Sequence, residues 1–130
     1  MDFALRKGLT AEVQEMVTAD NLARKFGSGS IDVFATPAMI ALMEKAALNT
    51  VDPNLPEGFS TVGTEISVRH LAATPLGLTV KAKAELVEID GRRLVFRVEA
   101  FDDMEKIGEG EHQRFIIQVA KFMDKVGKKA

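Results

Sequence analysis

"VFATPAMIALMEKAA", residues 33–47, decides the fold. Thr36 suits a helix N-cap and Pro37 the first helical position, and from Ala38 to Leu48 neither glycine nor proline interrupts the run. The spacing predicts the strongest helix in the chain. Apolar residues occupy nearly its whole circumference, the pattern of a helix wrapped by other structure instead of covered on one face. One carboxylate stands in it. Glu44 has only Ile40, Ala41, Ala47 and Leu48 at three and four residues' distance, and its neighbour Lys45 cannot face it on a helix. Burying a carboxylate there is costly unless a reaction or a partner across a subunit contact uses it.

Working outward, "GLTAEVQEMV" (8–17) alternates Leu9, Ala11 and Val13 against Thr10, Glu12 and Gln14, which predicts a first strand. "TADNLARKF" (18–26) reads as a short helix, and the "GSGS" that follows as a flexible lid or access loop. Beyond the long helix, "NTVDPNLPEGF" breaks the pattern, and from residue 61 the period becomes two. Ile66, Val68 and His70 share one face of a strand; Leu78, Val80, Ala82, Ala84 and Leu86 share one face of the next. Asp90-Gly91 predicts a two-residue type I′ hairpin, and "DDMEKIGEG" leads through a second hairpin into "EHQRFIIQVAKF". Strand, helices and then hairpin-linked strands imply an α+β fold, an antiparallel sheet curled around the long helix. The tail "DKVGKKA" reads as frayed, exposed chain.

Composition narrows the function. At 130 residues and 46% hydrophobic, the chain is sized for one domain, 1–130, with a single core. Its 17 Lys and Arg against 19 Asp and Glu, net −2, offer no broad basic surface for nucleic acid or anionic membrane. With no cysteine, thiolate chemistry, disulfides and cysteine-based zinc sites are excluded, and His70 and His112 alone are too few for a histidine-rich metal site within one chain. No apolar run approaches the roughly 18 residues of a membrane span, so the cytoplasm is the expected location.

An inward Glu44, an inward His70 and Thr36 at a helix start are the residue types that acyl transfer needs: a base or nucleophile, a proton shuttle and a donor to a developing oxyanion. Each alone has a plain structural reading, as a subunit-contact carboxylate, a core histidine bonded to a carbonyl, or a cap. Geometry constrains the trio. Thr36 and Glu44 lie eight residues apart, about 12 Å along a helix axis, so they cannot hydrogen-bond. Either His70 bridges them or a second chain contributes to the site, and an open sheet edge gives a reason to pair. Weaker candidates remain. His112 and Arg114 share a strand face, as a surface pair or as holders of an anionic or carbonyl group. "GEGEHQRF" lacks the ending and the helix of a phosphate loop, and Met39 with Met43 reads as core.

"VFATPAMIALMEKAA", "VGTEISVRHLAATPLGLTV", "AELVEIDGRRLVFRVEAFD" and "IGEGEHQRFII" together resemble the hot-dog-fold thioesterase family typified by the fluoroacetyl-CoA thioesterase, over Val33 to Phe122. The resemblance implies a hot-dog fold and a homodimer with active sites at its interface. It implies a catalytic group of Thr36, Glu44 and His70, a Gly63 N–H, just ahead of the His70 strand, that holds the thioester carbonyl, and Arg114 as a substrate-binding residue. The family's aromatic lid before the helix has no counterpart between Phe26 and Phe34, and Pro37 stands where the family has glycine. The expectation is hydrolysis of a small acyl-CoA by Glu44, as nucleophile or as base for water, without metal or redox cofactor. A non-catalytic acyl-CoA-binding protein and an enoyl-thioester hydratase are the alternatives on the same scaffold.

Overall fold

The computed structural model describes residues 3–130. The chain runs through β1 (Thr10–Met16), a 3₁₀ turn (Ala19–Asn21), a single helical turn α1 (Ala23–Phe26) and the long α2 (Thr36–Val51). Then come β2 (Phe59–His70), β3 (Thr79–Asp90), β4 (Arg93–Phe101), β5 (Lys106–Gln118) and a C-terminal α3 (Val119–Gly127). The five strands form one antiparallel sheet in the order β1-β3-β4-β5-β2. β1 and β2 are therefore its edges. No helix is long and apolar enough to cross a membrane among the described residues.

α2 sinks one side into the sheet. Ala38, Met39, Leu42, Met43, Ala46, Ala47 and Val51 are buried against Val80, Ala82, Ala84 and Leu86 of β3 and the inner face of β4. The alanines on both sides let helix and strand approach, while Phe34, Met39 and Met43, fully enclosed, each contribute about 2 kcal/mol of burial. The other side is not wrapped as the sequence pattern suggested. Pro37, Ala41, Lys45 and Asn49 are exposed, and Ile40, Glu44 and Leu48 half-buried. A sheet of five strands curls far enough to cover one flank of a helix, which leaves an apolar stripe around Glu44 open.

The local details differ from the sequence pattern in four places. Ala35, extended at φ −71° and ψ 139°, is the N-cap, and its carbonyl accepts the Met39 N–H. Thr36 is thus already helical and caps nothing. The segment 18–26 is split because Leu22 turns extended and bridges Phe34. The β3–β4 turn is centred on Gly91-Arg92, with Asp90 paired to Arg93. Positive φ occurs only at Gly91, so the turn has the type II′ signature instead of type I′. Finally, part of the expected frayed tail belongs to α3, which keeps helical bonding to Gly127 with no residue buried and only Phe122 half-buried.

Two glycines in β5 set how tightly the sheet curls. A Cβ on Gly108 would lie 2.5 Å from Met39 Sδ, and one on Gly110 would collide with the Ser67 carbonyl of β2. "GEGEHQRF" is therefore a packing motif. Replacing Gly110 by Ala is expected to cost about 3 kcal/mol, because the collision is with backbone that cannot rotate away. A urea midpoint unchanged from wild type would contradict that.

Candidate active site

Two clusters of polar side chains face the interior, at opposite ends of β2. At the His70 end, Thr36 Oγ1 and His70 Nδ1 are 2.7 Å apart. The bond exists because the first turn of α2 lies against the last residue of the strand. His70 Nε2 is buried with no hydrogen-bond partner. Burial lowers the His70 pKa below its ordinary value, opposed by the backbone of Ala72, so the ring favours its neutral form. A cleft of about 590 Å³ opens beside the pair. The "GSGS" loop and Ile31 line that cleft, as does Ala72 beyond the strand end, so the loop expected to give access does border a site residue.

Glu44 belongs to the other cluster. A β-bulge at Thr64 shifts the pairing of β2 with β5 between Gly63 and Glu65. The extra residue resets the alternation, so Thr61 and Gly63 face inward together with Ile66, Val68 and His70. Gly63 therefore lies within β2, where the sequence placed it ahead of the strand. A Cβ on Gly63 would sit 3.0 Å from Glu44 Oε2, 3.2 Å from His112 Cε1 and 3.5 Å from Arg114 Nη1. Only glycine leaves that point open. Glu44, an imidazole and a guanidinium thus converge on one point over Gly63.

His112 and Arg114 are core residues, 1% and 7% exposed, and the surface-pair reading does not hold. Arg114 donates from Nε to Thr61 Oγ1 at 2.8 Å and from Nη2 to the Thr61 carbonyl at 2.9 Å. Thr61 in turn donates to Asp52 Oδ1 at 2.6 Å. Arg114 Nη1 lies 3.2 Å from His112 Nε2, and His112 Nδ1 lies 2.8 Å from the Glu65 carbonyl oxygen. Asp52 and Thr61 were not among the expected site residues, and His112 was only a weaker candidate beside Arg114. Their signal was the period of two: Thr61 shares a face with Gly63, and His112 shares one with Arg114.

The structure brings Thr36 to His70 and Glu44 to Gly63, His112 and Arg114, and it does not bring the two groups together. Gly63 and His70 are seven residues apart in one strand, roughly 20 Å. No side chain spans that distance.

The family model described as fluoroacetyl-CoA-specific thioesterase matches residues 17–120. The chain belongs to this family. The fluoroacetyl-CoA thioesterase of Streptantibioticus cattleyicolor is 48% identical over 98 residues, 75% of this chain and 70% of that protein. The crystal structure of a phenylalanine-to-alanine mutant of the fluoroacetyl-CoA-specific thioesterase superposes with TM-score 0.91 at 38% identity, covering 99% of this chain and 100% of that one. A thioesterase superfamily member from Thermus thermophilus superposes with TM-score 0.88 at 29% identity, covering 95% and 91%. The antiparallel sheet with its long central helix is the hot-dog fold of these thioesterases, and the chain is a thioester hydrolase.

His70 and His112 both have pKa values lowered by burial, with the Arg114 charge adding to the effect on His112. Between those values and the ordinary 6.5 the unfolded chain binds more protons than the folded one. Stability should therefore be full above about pH 7, fall as pH drops through 6.5, and level off below the folded-state values. Urea midpoints from about pH 4.5 to about pH 8, which brackets the histidine range, check this, and His112→Gln should make the acid loss shallower.

Proposed function

We propose that this family member hydrolyses a short acyl-CoA thioester as a homodimer in which each active site is built from two copies of the chain. The observation that carries the reading is the Glu44 carboxylate oxygen 3.0 Å from the open point over Gly63, on a helix whose other residues around it are apolar. That placement offers a carboxylate to a carbonyl carbon brought against the strand.

Three features support the dimer. The Thr36–His70 pair and the Glu44–Gly63 pair lie too far apart within one chain, the stripe around Glu44 is open, and β2 is a sheet edge. An antiparallel pairing of two β2 strands centred on Ser67, with the bulged Thr64 left unpaired, sets each His70 opposite the partner's Gly63. Both half-sites then close on one substrate.

In that site the Thr36 hydroxyl and the Gly63 N–H donate to the thioester oxygen as it gains charge. When His70 Nδ1–H donates to Thr36 Oγ1, the Thr36 proton is free for the substrate and the unpartnered Nε2 is free to carry a proton. Glu44 either attacks the carbonyl carbon, giving an acyl-enzyme that water then cleaves, or takes a proton from the water that attacks. By either route the C–S bond breaks and CoA leaves as the thiolate; the proton that the attacking water loses passes through the unprotonated Nε2 of His70 to that thiolate, and the products are the acid and free CoA. Arg114 forms the charged wall beside Glu44. The loop of Ser28, Gly29, Ser30 and Ile31, free of aromatic bulk, borders the cleft at His70 and leaves room for acyl groups beyond the fluoroacetyl of the relative's name.

Thiol release from a panel of short, branched, aromatic and halogenated acyl-CoAs tests the activity. Turnover on at least one member is expected, and Glu44→Ala should lower it by about a thousandfold or more with the fold intact. A panel without any thiol release, but with tight acyl-CoA binding, would replace the enzyme by a binding protein. Mixing two inactive variants tests the shared site. Glu44→Ala and His70→Ala chains, refolded together, should recover about a quarter of wild-type activity, because mixed dimers hold one intact site. Absence of any recovery would place the whole site within one chain.

A further inference from the structure

The donor and acceptor directions around Arg114 can be assigned without ambiguity. Arg114 has no acceptor, so its Nη1–H must donate to His112 Nε2, which is then unprotonated. The proton of the neutral ring therefore sits on Nδ1 and goes to the Glu65 carbonyl oxygen. Thr61 gives its one hydroxyl proton to Asp52 Oδ1, which leaves Oγ1 to accept from Arg114 Nε. Asp52 is itself held by Ser60 Oγ at 2.6 Å and by the Thr61 N–H at 3.3 Å. The order is continuous from a half-buried carboxylate to an imidazole beside Glu44.

From this geometry we infer that Asp52 and Thr61 are positioning residues, which clamp Arg114 so that it holds His112 as the neutral Nδ1–H tautomer and keeps a fixed cation, with no imidazole donor, facing Glu44. The inference rests on the reading of Glu44 as the reacting carboxylate. Glu44 Oε2 and Arg114 Nη1 both lie within reach of the open point over Gly63, and they form no ion pair within 4.0 Å among the described residues. The carboxylate is thus attended by a charge and not consumed by a contact. An Nε2–H or doubly protonated His112 would add a second donor beside Glu44 and tie up the lone pair that the reaction needs. The groups facing His112 are Arg114 and Glu44 as charges, the Glu65 carbonyl, and the Phe96 ring at 6.1 Å. Burial and the Arg114 charge lower the His112 pKa, in keeping with a ring that stays neutral.

The test reads the imidazole directly. In ¹⁵N-histidine-labelled wild-type protein at pH 7, the His112 nitrogens should show a protonated Nδ1 and an unprotonated Nε2. A protonated Nε2 in wild type overturns the inference whether or not any variant folds. In Thr61→Val, which keeps shape and loses the hydroxyl, the His112 signal should shift toward an exchanging or charged ring. There kcat should fall about tenfold or more with KM little changed, and Thr61→Ser should restore both readouts. A Thr61→Val protein with wild-type imidazole signals and wild-type kcat likewise overturns it. A wild-type enzyme that releases no thiol fails the functional reading instead, and that outcome is separate from the imidazole spectrum.

Discussion

A helix advances about 1.5 Å per residue and cannot be compressed, so two side chains eight residues apart on α2 must serve different places. That constraint shapes the whole molecule. Thr36 at the first turn reaches the end of β2 and finds His70, while Glu44, two turns on, reaches the middle of the structure and finds Gly63, His112 and Arg114. The strand running past the helix separates the two meeting points further, because a strand rises more than twice as fast per residue as a helix. A single chain therefore presents two separate polar clusters, and the proposed pairing of β2 edges is the simplest operation that would join them as one site.

The close contact of helix and sheet follows from small residues and one irregularity. Ala38, Ala46 and Ala47 pack in one core with Ala82 and Ala84, Gly108 admits Met39 where a larger residue would hold helix and sheet apart, and Gly110 admits the Ser67 carbonyl of the neighbouring strand. The bulge at Thr64 then turns both ends of β2 inward. Without it, Gly63 and His70 would point to opposite faces, and the strand could supply the proposed mechanism with its oxyanion donor or its proton carrier but not both.

Placing Arg114 in the core is expensive unless its donors are occupied, and the structure occupies three of them with Thr61 and His112. Asp52, from the end of α2, completes the set through the Thr61 hydroxyl. The same helix thus delivers the reacting carboxylate of the proposed mechanism and, one further stretch along, the carboxylate that anchors the opposing cation. This arrangement gives a polar interior a single consistent direction of hydrogen bonding, which disfavours alternative protonation patterns.

Much of this was legible in the chain itself. The uninterrupted run from Ala38 to Leu48, the alternation of Val80 to Leu86 and the Asp90-Gly91 signal required a long helix and antiparallel strands, because these periods are properties of the backbone. Glu44 and His70 stood out for the same reason, each polar on a face that is otherwise apolar. What the sequence could not contain was phase and partnership. A bulge adds one residue and flips every side chain after it, which no composition reports, and so Gly63 was read as preceding its strand. His112 and Arg114 could be read as a surface pair or as site residues because only the fold says which face of β5 is inside, and Thr36 as a cap or as a donor because only the fold brings His70 to its hydroxyl. Local periodicity determined the elements; the tertiary structure decided which side chains meet, since that depends on register and strand curvature set by contacts between residues far apart in the chain.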